Sequence, residues 1–68
     1  MLKVFCERLK ALRTEKGLSQ PELANLLGVS NGIISFWENG VNEPTISNLI
    51  KLAEVLEVST DYLLGLED

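Results

Sequence analysis

The chain has 68 residues, 46% of them hydrophobic, and a formal net charge of −4 at pH 7. This length allows a single domain, and the hydrophobic fraction excludes a disordered chain. No apolar run approaches the ~18 residues that a membrane span needs, and the first residues do not read as a signal peptide, so we expect a cytoplasmic protein with no membrane partner.

The sequence offers little for catalysis or metal binding. It contains one cysteine, Cys6, and no histidine. A single cysteine forms no internal disulfide, which favours a reducing cytoplasm, and a zinc site is implausible. Because there is no nucleophile–base pair, no phosphate-binding glycine loop and no set of metal ligands, we expect neither an enzyme nor a cofactor.

The first predicted element is an amphipathic helix from Met1 to Lys16, ended by Gly17. Its side chains at helical spacing form an apolar stripe, and Arg13 lies at the edge of that stripe. The stripe consists of Leu2, Phe5, Leu9 and Leu12.

The next stretch, QPELANLLGVSNGIISFWE, covers residues 20–38 and predicts a short helix, a tight turn and a second short helix. Ser19 with Glu22 three residues later forms a capping box for the first of these helices. Gly28 ends that helix in a left-handed conformation. Ser30 is expected to cap the second helix, which stops before an Asn-Gly pair.

The two faces of this second short helix differ in character. Ile34 and Trp37 share one face and can pack on Leu23 and Leu27, while the small side chain of Ala24 allows the helices to cross closely. The outer face is polar or exposed and can enter a DNA major groove. It carries Asn31, Gly32, Ser35 and Phe36.

Two further helices complete the predicted fold. Thr45 caps a fourth helix with Val55 exposed off its apolar stripe, and Ser59 caps a last helix that runs through Leu64. The stripe of the fourth helix comprises Ile46, Leu49, Leu52, Ala53 and Leu56, and Val58, Tyr62 and Leu63 close the core. We expect five helices, no strands, and a core centred on Leu23, Leu27, Ile34, Trp37, Leu49 and Leu52.

Residues 20–38 resemble the helix-turn-helix of the phage-repressor family, the Cro/cI-type or XRE-family DNA-binding domains. The residues that carry the resemblance are Leu23, Ala24, Leu27, Gly28, Val29, Ile34 and Trp37. The flanks, ERLKALRTEKGLSQ and WENGVNEPTISNLIKLAEVLEVSTDYLLG, are similar too, so nearly the whole chain is covered. The resemblance implies an all-α, lambda-repressor-like domain of five helices that binds double-stranded DNA sequence-specifically as a transcriptional regulator, in particular a repressor.

The resemblance also implies roles for individual residues at the DNA. Gln20, Ser30 and Asn39 match positions that contact backbone phosphates, and a helix N-terminus is a natural phosphate site. The positions that meet base edges are matched by Asn31, Gly32 and Phe36. Capping or plain solvation is the alternative for Gln20, Ser30 and Asn31, and Asn39 is alternatively only a helix C-cap.

Two structural roles follow from the same resemblance. Arg13 is expected to pair with Glu38 and so tie the first helix to the third, the alternative being a solvated arginine. The domain is expected to form a homodimer through Val55, Leu64 and Leu66, although a few exposed apolar residues are normal. The dimer would occupy a pseudo-palindromic operator and exclude the polymerase.

The alternative interpretation assigns a different class of function: a protein-interaction module on the same fold, such as an antitoxin or a regulatory adaptor. The acidic balance favours it, and so does the loop Val41–Glu43, where the family often carries Lys or Arg. Exposed Phe36, with Ile33, would then anchor a protein partner. Five of the six basic residues precede Gly17, so the acidic end can still face away from DNA. Salt-sensitive binding to random duplex DNA would favour the DNA-binding function, and its absence would favour the protein-interaction module.

Overall fold

A computed structural model describes residues 2–68, and they form five α-helices and no strand. The helices are α1 (Lys3–Glu15), α2 (Gln20–Leu27), α3 (Asn31–Glu38), α4 (Ile46–Leu56) and α5 (Thr60–Leu64). The predicted all-α architecture is confirmed, although α1 begins after Leu2, which is its N-cap, and ends one residue earlier than expected. Met1, with which that helix was expected to begin, lies outside the described residues. None of these five helices is long and apolar enough to cross a lipid bilayer.

Three of the four predicted serine and threonine caps are confirmed. The Ser19 hydroxyl accepts a hydrogen bond from the Glu22 backbone N–H, and the Glu22 carboxylate accepts one from the Ser19 N–H. The backbone N–H of Ser19, and after it the Ser19 side chain, favours the ionised Glu22 carboxylate and so lowers the pKa of Glu22. Thr45 and Ser59 cap α4 and α5 in the same way, each accepting from a backbone N–H three residues on.

The turn between α2 and α3 forms as predicted, except at Ser30. Gly28 takes a left-handed conformation with φ +73°, and the Val29 N–H donates to the Ala24 carbonyl at 3.0 Å, which closes the end of α2. The expected side-chain cap at Ser30 is wrong, since its hydroxyl makes no such bond. The Ile33 N–H donates instead to the Ser30 backbone carbonyl at 3.2 Å.

The core lies where α1 crosses α3 and α5, and where α4 packs on α2 and α5. Its largest fully buried side chain is that of Trp37. Ala24 is fully buried at the contact of α2 with the core, as its small size predicted. The buried side chains are Phe5, Leu9, Leu23, Ala24, Leu27, Ile34, Trp37, Leu52, Ala53, Leu56 and Leu63.

The burial of α4 differs from the prediction at both of its ends. Ile46 was expected inside but is 78% exposed, because it lies in the first turn while the later turns of α4 pack on the core. Val55 was expected to be exposed but is partly buried against the core. Leu49 and Tyr62 are also only partly buried.

Candidate nucleic-acid interface

Helix α3 has one face buried in the core and one face free. Ile34 and Trp37 are 0% and 1% exposed, so they hold the helix rigidly against the rest of the domain. The opposite face presents Asn31, Gly32 and Phe36, which are exposed. A short helix anchored in this way and free along its outer side has the shape that a major groove admits.

The outer face has an unusually bare surface at Gly32. A Cβ built on this residue would meet no other atom of the domain within 4 Å. Its φ is also not in the positive range that would require glycine. Neither packing nor backbone geometry within the domain therefore explains a glycine here, where it weakens a helix.

A buried ion pair holds α1 to the base of α3. Arg13 Nε donates to Glu38 Oε2 at 2.6 Å and Arg13 Nη2 donates to Glu38 Oε1 at 3.2 Å. Both side chains are nearly buried, with 11% and 3% of their area exposed. Arg13 Nη1 also donates to the Leu18 carbonyl at 2.7 Å, so one guanidinium links α1, the following turn and α3.

Gln20 belongs to the same network, which sequence reasoning missed. Its Nε2 donates to Glu38 Oε1 at 3.0 Å from the first turn of α2. The Gln20 side chain is therefore held in place beside α3, with its carbonyl oxygen and a second amide hydrogen still available. The resemblance gave Glu38 only Arg13 as a partner, and no spacing rule connects residues 20 and 38.

The other two expected phosphate contacts lie at the two ends of α3. Ser30 is exposed and its hydroxyl is not used for capping. Asn39 occupies the C-cap, and its Nδ2 donates to the Ser35 Oγ at 3.2 Å. Asn39 is thus both a C-cap by position and an exposed polar residue beside the outer face of α3.

The loop Val41–Glu43, which carries one carboxylate and no basic residue, follows α3 and is exposed throughout. Three of the six basic side chains are already engaged inside the domain and cannot replace basic residues in this loop. Arg8 donates to the carbonyls of the C-terminal segment and lies 4.1 Å over the Tyr62 ring, and Arg13 is held by Glu38. Lys16 pairs with Glu57, which lowers the pKa of that carboxyl.

The three residues expected at a dimer contact differ in exposure. Leu64 and Leu66 are exposed by 41% and 72%, but Val55 packs partly against the core. Ile46 instead lines a small apolar groove together with Leu64. The exposed apolar surface at this end of the domain therefore joins the start of α4 to the end of α5.

Among residues 2–68, no three His, Cys, Asp or Glu side chains lie close enough together to hold a metal ion. Cys6 is partly buried, and its Sγ lies 3.2 Å from the Trp37 carbonyl oxygen, to which it donates. This contact places the thiol against the backbone at the C-terminal end of α3.

The geometry is that of a helix-turn-helix domain, and comparison with known proteins identifies the family. The helix-turn-helix family profile matches residues 9–63, and the chain belongs to this family. The prophage-derived transcriptional regulator YonR of Bacillus subtilis is 46% identical over 61 residues, which are 90% of this chain and 56% of YonR. Repressor protein C2 of Salmonella phage P22 is 43% identical over 58 residues, 85% of this chain and 27% of the repressor.

Solved structures give the same result. The P22 c2 repressor, crystallised with a synthetic operator, superposes with a TM-score of 0.87 at 40% identity, over 93% of this chain and 96% of that chain. The restriction-modification controller protein C.AhdI of Aeromonas hydrophila superposes with a TM-score of 0.83 at 39% identity, over 91% and 94% of the two chains. The relatives are transcriptional regulators and repressors. This chain spans about half of YonR and a smaller part of the P22 repressor.

Proposed function

We propose that this domain binds double-stranded DNA sequence-specifically, with α3 in the major groove, and that it acts as a transcriptional repressor by occupying an operator. A regulator of this kind works where the genome is, and the proposal places it in the cytoplasm. The observation that carries the proposal is the contrast between the two faces of α3. Ile34 and Trp37 are completely buried, whereas Asn31, Gly32 and Phe36 on the opposite face are exposed.

Base recognition is assigned to the outer face of α3. Asn31 can hydrogen-bond an adenine bidentately, and Phe36 can contact the C5-methyl of thymine, the one apolar group in the major groove. Phe36 is 47% exposed, so its ring is available for such a contact. Gly32 lets the helix backbone approach the bases. The half-site is accordingly expected to be rich in A·T pairs at the contacted positions.

Backbone contacts are assigned to Gln20, Ser30 and Asn39. The first two lie at the N-termini of α2 and α3, where free N–H groups and the helix dipole favour a phosphate. The hydrogen bond from Gln20 to Glu38 supports its role, because it orients an amide that keeps one donor for the DNA. Ser30 is supported by its uncommitted hydroxyl.

The repressor is proposed to act as a homodimer on a pseudo-palindromic operator. Leu64 and Leu66 keep their place in the proposed contact, and Ile46 joins them because it lines a groove with Leu64, whereas Val55 is partly buried against the core. The two copies of α3 would lie about 34–36 Å apart, one turn of the duplex. The operator complex of the P22 relative supports DNA as the partner of a domain with this fold.

A protein partner bound through Phe36 and Ile33 is weakened as an alternative, because Ile33 packs partly against the core. An anchor at this site would rest on Phe36 alone. DNA recognition and protein binding by Phe36 predict different effects of Phe36→Ala on the affinity for a duplex recovered by selection from random sequences.

In the proposed complex, Phe36→Ala weakens specific binding but leaves non-specific affinity and its salt dependence unchanged, since no phosphate contact is lost. Replacing the contacted thymine by uracil removes the methyl group that Phe36 meets. Fluorescence anisotropy should therefore show that uracil costs the wild type affinity and costs the variant none. An equal loss in both proteins would exclude methyl recognition and favour the protein partner.

A further inference from the structure

A groove of about 530 Å³ lies between the start of α1 and the C-terminal end of α3. Lys3 lines it from α1, Asn39 and Gly40 line it from the end of α3, and Glu43 lines it from the following loop. Lys3 and Glu43 are both exposed, and the structure shows no ion pair between them. One groove is therefore lined both by a lysine that is not in an ion pair and by Asn39, which the proposed complex places at a phosphate.

The distribution of the other cations makes this position distinctive. Arg13 and Lys16 are in ion pairs and Arg8 is bound to backbone carbonyls and a ring. The loop after α3 contributes a carboxylate and no basic residue. Only Lys3, Lys10 and Lys51 keep ammonium groups that are not paired with another of the described residues, and of these only Lys3 lines the groove beside Asn39.

We propose that Lys3 supplies the cationic contact to the DNA backbone at the C-terminal end of α3, in place of a basic α3–α4 loop. This inference rests on the proposed DNA binding. Neutralising one phosphate releases condensed counterions, so the contact contributes to affinity and to its dependence on salt. Lys3 also offsets the charge of Glu43, which would otherwise repel the same phosphate. Glu38, the other carboxylate in the groove, is already neutralised by Arg13.

The test compares Lys3→Gln with Lys51→Gln by fluorescence anisotropy on a short random-sequence duplex, over a salt series of about 50 to 200 mM. Both variants lose one exposed lysine, so the change in net charge is the same. We expect Lys3→Gln to reduce the slope of log K against log salt by about 0.9 and to weaken binding about tenfold at the lowest salt. Lys51→Gln should keep the wild-type slope, and Lys3→Arg should restore it.

The same measurements in a Glu43→Gln background separate a direct contact from simple neutralisation of Glu43. The loss caused by Lys3→Gln should persist there, because the phosphate contact is still removed. Equal slopes for Lys3→Gln and Lys51→Gln would overturn the proposal, and so would a loss that vanishes in the Glu43→Gln background. A wild type that shows no salt-sensitive binding would overturn the proposed DNA binding itself. Failure of the Lys3 proposal alone is therefore distinguishable, because in that case the wild type still binds with a normal salt slope. Thermal melts confirm that each variant is folded.

Discussion

Replacing Gly32 by alanine should stabilise the domain and weaken its binding to DNA. Gly32 is the second residue of α3, and an added Cβ would meet nothing within 4 Å in the free protein. Alanine removes the entropic cost of glycine in a helix, which is about 0.5–1 kcal/mol. For a domain of this size, that gain corresponds to a rise in melting temperature of about 2–8 °C.

The same methyl group is harmful once the helix lies against base edges. Inserting a methylene-sized group into a close-packed contact costs about 1–3 kcal/mol. In the proposed complex that cost raises the dissociation constant for a specific site about 5- to 150-fold. Stability and affinity should therefore move in opposite directions, which a general disturbance of the fold would not produce.

The assay pairs thermal denaturation with anisotropy on a selected duplex, and Ser47→Ala is the matched control. Ser47 is the exposed second residue of α4, as Gly32 is the exposed second residue of α3. Alanine raises the helix propensity at both positions, but Ser47 has no proposed role at the DNA. Ser47→Ala should leave affinity unchanged. A Gly32→Ala variant that is more stable and binds DNA as tightly as the wild type would refute close approach at this position.

Three further predictions concern the architecture and the assembly. Ala24→Leu should overpack a fully buried position and lower the free energy of unfolding by about 1–3 kcal/mol, so an unchanged denaturation midpoint would contradict the close packing of α2. Arg13→Met and Glu38→Gln should each lower the free energy of unfolding by up to about 3–5 kcal/mol, because the charge of the remaining partner is left nearly buried. The double variant should lose much less than the sum of the two single losses, and additive losses would mean that the pair is not coupled. Ile46→Asp should leave stability almost unchanged, since the side chain is 78% exposed, yet abolish two-chain complexes on DNA in sedimentation, whereas Val55→Asp should destabilise the domain because Val55 packs partly against the core. Persistent two-chain complexes with Ile46→Asp would exclude this dimer surface.

Local chemistry made most of the helix boundaries predictable. The Ser19 cap with Glu22 and the glycine at the end of α2 depend on neighbours within a few residues, and the structure has them as expected. The periodic apolar residues of α1 and α3 likewise identify their buried faces, because each of these helices packs along most of its length.

Features that depend on how the helices are arranged were not predictable from spacing. Ile46 continues the apolar periodicity of α4, but it lies at the start of the helix, where most of its side chain stays exposed. Val55 lies off that stripe and is nevertheless partly covered by the core. The hydrogen bond of Gln20 to Glu38 and the groove that Lys3 and Asn39 both line involve residues far apart in sequence, and only the tertiary structure brings them together.

Selection of bound fragments from a random duplex library, using the purified domain, tests the central claim most directly. We expect one A·T-leaning motif to be enriched, repeated with twofold symmetry one helical turn apart, where two copies of α3 can enter the major groove. A selected pool that keeps the composition of the starting library, at salt low enough to retain DNA, would contradict sequence-specific recognition by this domain.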